Sequence, residues 1–182
     1  MSATPRPPCY PDLDYLGAAS GYAEEVHEAI CQGPLFEPFT RNEIEALCRF
    51  MHCFAASRET LLMREGEYGD HFIVILSGEV RVLKRNAEGA QVSLATVCPG
   101  ASLGEMSLVD GRERFASCIT TCPTDFAVMT RADLNEFLVA YPWLANKLLI
   151  RLMQIMAGRI RSASAQLVER SVLAELDGEL PS

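Results

Sequence analysis

The segment GASLGEMSLVDGRERFAS, residues Gly100 to Ser117, holds the chemistry of this chain. Gly104 and Glu105 open a short apolar turn, and Arg114 follows nine residues after Glu105. A helical turn through Met106, Ser107 and Leu108 aims backbone amides at one spot, and such amides attract an anion through their partial positive charge. Arg114 is placed to neutralise that anion through charge-assisted hydrogen bonds, worth about 1.5–3 kcal/mol net. Glu105 is placed to accept from a hydroxyl beside it. An acid and a base at one small pocket suit a ligand with one negative charge and one free hydroxyl.

Upstream, EGEYGDHFIVILSGEV (Glu65 to Val80) sets glycines at tight-turn spacing before an apolar run, the signature of turn-rich β structure. Runs such as Phe72 to Leu76 and Val80 to Leu83 are rich in strand formers, and Asn86-Ala87-Glu88-Gly89 marks a hairpin between two of them. Many short strands at even spacing favour a closed antiparallel roll over a parallel sheet. The fold class expected is mainly β with flanking α-helices: a jelly-roll-like antiparallel β-roll, N-terminal helices and a long C-terminal helix.

Outside this region the period becomes helical. The first eleven residues hold four prolines and are expected to form a flexible tail, residues 1–11. Leu16, Ala19, Ala23, Val26, Ala29 and Ile30 recur at helical spacing and predict an N-terminal helix within 12–33. Thr40 to Glu43 reads as a capping box that opens a helix burying Ile44, Leu47, Cys48 and Met51. Thr130 with Asp133 predicts a second cap, closing the roll domain at 34–141. Pro142 suits the first turn of a long helix in 142–182, whose apolar stripe is Leu149, Leu152, Met156, Ile160, Ala163 and Leu167.

Composition narrows the function classes. The net charge of −8 opposes general attraction to nucleic acid. No apolar run approaches the roughly 20 residues that cross a bilayer. Seven cysteines without a CxxC pair fit buried hydrophobes of a reducing, cytoplasmic compartment. His27, His52 and His71 stand apart, so the clustered histidines of metal-dependent β-roll enzymes are lacking. With no nucleophile–base pair either, the chain is expected to bind rather than catalyse, with no metal or cofactor.

In Pro34-Leu35-Phe36, Gly66 through Gly69-Asp70, Gly78 and the cassette from Leu103 to Ala116, the chain resembles the cyclic-nucleotide-binding family. That family includes the bacterial catabolite activator, regulatory subunits of cAMP-dependent protein kinase and nucleotide-gated channels. The resemblance, roughly Pro34 to Gln166, implies that Gly104, Glu105, Met106 and Ser107 meet ribose and phosphate, with Glu105 on the 2′-hydroxyl and Arg114 on the phosphate. It implies that Leu103, Phe115 and Ala116 flank them, that Val82, Leu94 and Ala95 line the pocket, and that Arg159 and Ser164 of the long helix lie nearest the base or Glu105. It also implies a homodimer through that helix.

Three positions depart from the family pattern. Leu103 replaces a Phe, Glu113 replaces a Pro beside Arg114, and Phe115 replaces the small residue that follows the arginine. Phe115 either stacks on a purine or fills the pocket. It lacks the hydroxyl with which cGMP-selective relatives bind the guanine amino group, which favours cAMP. The fifteen or so residues after Gln166 are too few for a helix-turn-helix, so no DNA binding is expected. The expected function is a cytoplasmic sensor that relays occupancy to an unidentified effector protein. The alternatives are a protein-interaction module that has lost the nucleotide, or a site for another nucleotide second messenger.

Overall fold

Strand β4, His71–Ile75, is buried along its whole length, which requires cover on both faces of its sheet. Successive strand side chains point to opposite faces, and the two hydrophobic cores divide them accordingly. Phe72 and Val74 enter one core and Ile73 and Ile75 the other. The computed structural model describes residues 7–30 and 33–178.

Among the described residues, nine strands form two antiparallel sheets. The five-stranded sheet runs in the order β1 (Asp14–Ala18), β2 (His52–Ala56), β9 (Thr124–Thr130), β4, β7 (Ser102–Leu103). The four-stranded sheet runs β3 (Leu61–Met63), β8 (Ser117–Thr120), β5 (Val80–Arg85), β6 (Gln91–Val97). Between them lies the inner core of Phe54, Ile73, Ile75, Phe126 and Val128 facing Leu62, Met63, Val80 and Cys118. The outer face of the larger sheet, with Cys53, Phe72, Val74, Ala127 and Met129, packs on the helices. This is the expected β-roll with flanking helices and a long C-terminal helix.

The helices are α1 (Ala23–Ile30), α2 (Arg41–Cys48), α3 (Glu105–Asp110), α4 (Arg131–Ala140) and α5 (Pro142–Gly178). Thr40 and Thr130 each cap a helix reciprocally with the residue three positions on, Glu43 and Asp133. The β5–β6 hairpin closes where Asn86 Oδ1 accepts from the amides of Glu88 (3.1 Å) and Ala90 (2.8 Å), with Gly89 at φ +83°. α5 opens at Pro142 and sinks Leu144, Ala145, Leu148 and Leu152 into the outer core. Its first turns are thus spent within the chain: Leu149 packs on that core too, while Ile150, Met153 and Ile160 are exposed. The Leu167 side chain lies outside the described residues.

Two expectations about the N-terminal segment are corrected. The helix expected within 12–33 starts only at Ala23; ahead of it come β1 and a 3-10 turn, Ala19–Tyr22. Leu13 and Tyr15 alternate onto the inner core, and β1 takes the edge of β2, with a register shift at Gly17, whose φ is +125°. That period-two contact with an open sheet edge outweighs a helical pattern built largely from alanine. Nor is 1–11 a flexible tail throughout: residues 1–6 lie outside the described residues, but Tyr10 is only 6% exposed and belongs to the inner core. Residues 31–32 of that expected helix segment and the last residues, 179–182, also lie outside the described residues.

Candidate functional site

Arg114 turns inward. The loop between β3 and β4 grips its backbone on both sides: its amide donates to Glu67 O (2.7 Å), and its carbonyl accepts from the Gly66 amide (3.0 Å). Gly66 reaches that position with φ +83°, a conformation that favours glycine. The guanidinium then lies against Gly69 and Gly104, where an added Cβ would overlap Arg114 Nε and Nη1 respectively. The glycines that announced β structure in the sequence are therefore also the bed of this side chain. Nη1 donates to Gly104 O at 2.9 Å, while Nη2 is buried without a hydrogen-bond partner.

Beside it, α3 starts at Glu105 after Gly104, whose φ of +83° turns the chain. The Leu108 amide closes the first helical bond on Gly104 O (3.3 Å), which leaves the amides ahead of it without intrahelical partners. Leu108, expected to lend its amide to the anion, spends it here instead. Glu105 is 1% exposed. Its Oε1 pairs with Arg159 Nη1 of α5, and Arg159 Nη2 donates to Ser102 O at 2.8 Å. Its Oε2 is buried without a partner. Burial pushes the Glu105 carboxyl above its ordinary range, opposed chiefly by the charge of Arg159. Burial likewise depresses the Arg114 guanidinium, opposed by the nearby Tyr10, Cys118, Asp70 and Glu105.

These groups line one cavity of about 80 Å³, walled by Val82, Leu103, Gly104, Glu105, Met106, Ser107, Arg114, Phe115, Ala116 and Arg159, with Met63 and Cys118. All but the last two were singled out in the sequence. Leu94, Ala95 and Ser164 are not brought to it. Leu94 is the extra residue of a bulge on the edge strand β6, where Val82 pairs with Ala95 and Leu83 with Ser93, and it is 51% exposed. Ala95 is exposed on the same strand, and Ser164 is exposed on α5. Met63 and Cys118 form a cross-strand pair of β3 and β8. Cys118 was legible by the two-residue period from Ala116; nothing in the sequence distinguished Met63.

The departures from the family pattern resolve in space. Phe115 does not plug the hollow: it stands at the rim, 54% exposed, with Lys84 Nζ 4.3 Å above its ring and bonded to its carbonyl at 2.6 Å. Glu113 is exposed, bridges to Tyr68 through the backbone and forms no ion pair with Arg114 among the described residues. Larger, shallower clefts of about 520–570 Å³ are also present among the described residues, and one of them shares Arg114 and Phe115 with this cavity. Among the described residues no cluster of His, Cys, Asp and Glu is placed to hold a metal ion, and no helix is long and apolar enough to cross a membrane.

Comparison with known proteins agrees with this geometry. Residues 55–141 match the family model of the cyclic nucleotide-binding domain. A crystal structure of a cyclic nucleotide-binding domain from Methylobacillus flagellatus superposes with a TM-score of 0.79 at 41% identity, over 90% of this chain and 92% of that one. The catabolite activator protein of Thermus thermophilus superposes with a TM-score of 0.69 at 26% identity, over 76% and 63%. The cyclic AMP receptor protein of Thermus thermophilus is 27% identical over 74% of this chain and 60% of its own length. The chain spans about 60% of the length of such curated bacterial relatives. A cassette with an inward arginine and a buried glutamate, set in this roll and matched along nine-tenths of a solved domain, places the chain in the cyclic nucleotide-binding domain family.

Proposed function

We propose that this chain binds a 3′,5′-cyclic mononucleotide, cAMP in preference to cGMP, and passes occupancy through α5 to a partner protein. One observation carries the reading. Two oppositely charged buried groups on the wall of one cavity each hold an unused hydrogen-bonding atom, Arg114 Nη2 and Glu105 Oε2. Buried polar atoms are rarely left unpaired, because each costs about 1–3 kcal/mol. An anionic oxygen on Nη2 and a ribose hydroxyl on Oε2 satisfy both. The purine then meets the Phe115 ring, a contact worth about 1 kcal/mol, and Phe115 offers no hydroxyl to a guanine. The preference for adenine rests on that side chain and on the cAMP named for the Thermus relative.

The cavity of about 80 Å³ is far below the roughly 300 Å³ at which ligand clefts begin. In this reading nucleotide entry releases Arg159 from Glu105 and frees α5 to shift. That displacement is the proposed output, limited in size by the ligand's differential affinity for the two positions. The exposed Ile150, Met153 and Ile160 offer α5 a second copy of itself, making a homodimer the expected assembly. Binding rather than catalysis is proposed, because the matched family model describes a binding domain; burial also pushes the cavity thiol of Cys118 up to about 12, which leaves it protonated. The free thiols of the described residues suit a cytoplasmic location.

A thermal-shift series with cAMP, cGMP and 5′-AMP tests the proposal. At a hundredfold excess over Kd a ligand adds about 2.7 kcal/mol, which raises Tm by several degrees in a chain of this size. The expected order is cAMP above cGMP, with 5′-AMP inert. The small cavity and the Arg159–Glu105 pair favour a second reading, a domain whose α5 is permanently docked and which serves only as an interaction module. Silence towards every cyclic nucleotide at millimolar concentration selects it.

A further inference from the structure

Two imidazoles of the roll take no part in the cavity, and each is met by a tyrosine from the N-terminal segment. Tyr15 Oη lies 2.9 Å from His52 Nδ1 on β2. Tyr10 Oη lies 3.0 Å from His71 Nε2 at the start of β4 and donates to Leu62 O at 3.1 Å. Burial and the charge of Arg114 hold His71 down to about 4, so it is neutral at pH 7. Both tyrosines precede residue 55, where the family match begins.

The two clasps differ in what lies behind them. His71 follows directly on Gly69-Asp70, and Gly69 is the surface against which the Arg114 guanidinium rests. Leu62, the other partner of Tyr10, adjoins Met63, a wall of the cavity. The Tyr10 ring meets His71, Phe54 and Phe126 edge-on, with centroids 5.1–5.5 Å apart. One hydroxyl thus ties β3, next to Met63, to the start of β4, next to the Gly69 bed of Arg114. The Arg131 amide also donates to Asp70 O, at 2.6 Å. His52, in contrast, lies on β2, away from the cassette.

We propose that Tyr10 is a positioning residue for the nucleotide site: its hydroxyl, bonded to His71 and Leu62, fixes the Gly69 bed on which Arg114 lies. The proposal rests on the reading of Arg114 as the phosphate ligand only for its effect on affinity. The effect on Arg114 itself is independent of any ligand.

Tyr10→Phe keeps the ring and removes the hydroxyl, and Tyr15→Phe is the matched control at the other clasp. The readout is solvent exchange of the Arg114 guanidinium N–H signals by 15N NMR without ligand, followed by calorimetric titration with cAMP. Tyr10→Phe is expected to speed exchange and weaken cAMP by about fivefold, the scale of one lost hydrogen bond, with Tyr15→Phe unchanged in both. Unaltered Arg114 exchange in Tyr10→Phe overturns the proposal, as does an equal change in Tyr15→Phe, which marks general loosening. Should Tyr10→Phe not fold, His71→Gln gives the same readout with the same expectation. Faster exchange in a protein whose parent ignores cAMP leaves the positioning role standing and removes the nucleotide reading instead.

Discussion

A guanidinium that is 5% exposed, with one amino group bonded to a carbonyl and the other unpaired, dominates the chemistry of the cavity. Its position depends on what Gly69 lacks. A Cβ at Gly69 would overlap Arg114 Nε, and the backbone there needs no positive φ. Gly69→Ala is therefore expected to fold, at a cost of about 1–3 kcal/mol for overpacking, while displacing Arg114. Thermal melts should show the modest loss of Tm together with no further rise on adding cAMP. An undiminished ligand-induced rise would mean that the guanidinium is not seated where the phosphate goes. Arg114 and Glu105 were legible because an acid and a base beside a glycine-rich turn suit an anionic, hydroxyl-bearing ligand, and the family resemblance gave each its role. The resemblance put Arg159 near the base or Glu105, but neither that ion pair nor the carbonyl that Arg114 bonds was legible, because both are set by how separate loops and α5 pack around the cassette.

The elements that were legible are those with local causes. Threonines at 40 and 130, each three residues before an acid, a hairpin at Asn86 to Gly89, and Pro142 at the head of α5 all stand where their side-chain chemistry puts them. Thr130→Ala should lower stability by about 1 kcal/mol through loss of the reciprocal cap, read as a fall of about 2–4 °C in Tm. No change would show that neighbouring packing, not the cap, sets the start of α4. β1 was not legible. Its identity is decided by the unpaired edge of β2, which lies more than thirty residues away, and by an alternation of only two core contacts, Leu13 and Tyr15. The docking of α5 has a larger local signature. Leu152 is fully buried in the outer core, and Leu152→Ala should cost about 2–5 kcal/mol. Chemical denaturation measures it; a loss below about 1 kcal/mol would show that α5 is not held by this contact.

Across the molecule the two cores share one sheet, so groups buried at its ends report on the whole fold. His71 and His52 are both held below their ordinary value near 6.5 by burial, His71 to about 4. In the unfolded chain His71 takes up its proton near pH 6.5, whereas the folded chain resists until about pH 4. Its contribution to stability is therefore complete above pH 6.5 and is lost progressively as the pH falls towards 4, about 3 kcal/mol in all. His52 acts in the same direction. Urea denaturation at pH 7 and pH 5 should show a drop of about 2 kcal/mol from His71 alone, and His71→Gln should flatten it. A slope unaltered by that substitution would place the protonation elsewhere. The roll and its flanking helices were legible at this scale from glycine punctuation and strand-forming runs. The resemblance brought α5 and Arg159 to the cassette, whereas the ion pair of Arg159 with Glu105 emerges only from the assembled core. The account as a whole turns on Arg114 as the group that holds a nucleotide phosphate. The direct measurement is calorimetric titration of cAMP into the parent protein and into Arg114→Ala at one salt concentration. Saturable binding by the parent and at least a tenfold weaker Kd in the variant, the scale of a lost charged hydrogen bond, are predicted; equal affinities, or no heat with either protein, would contradict it.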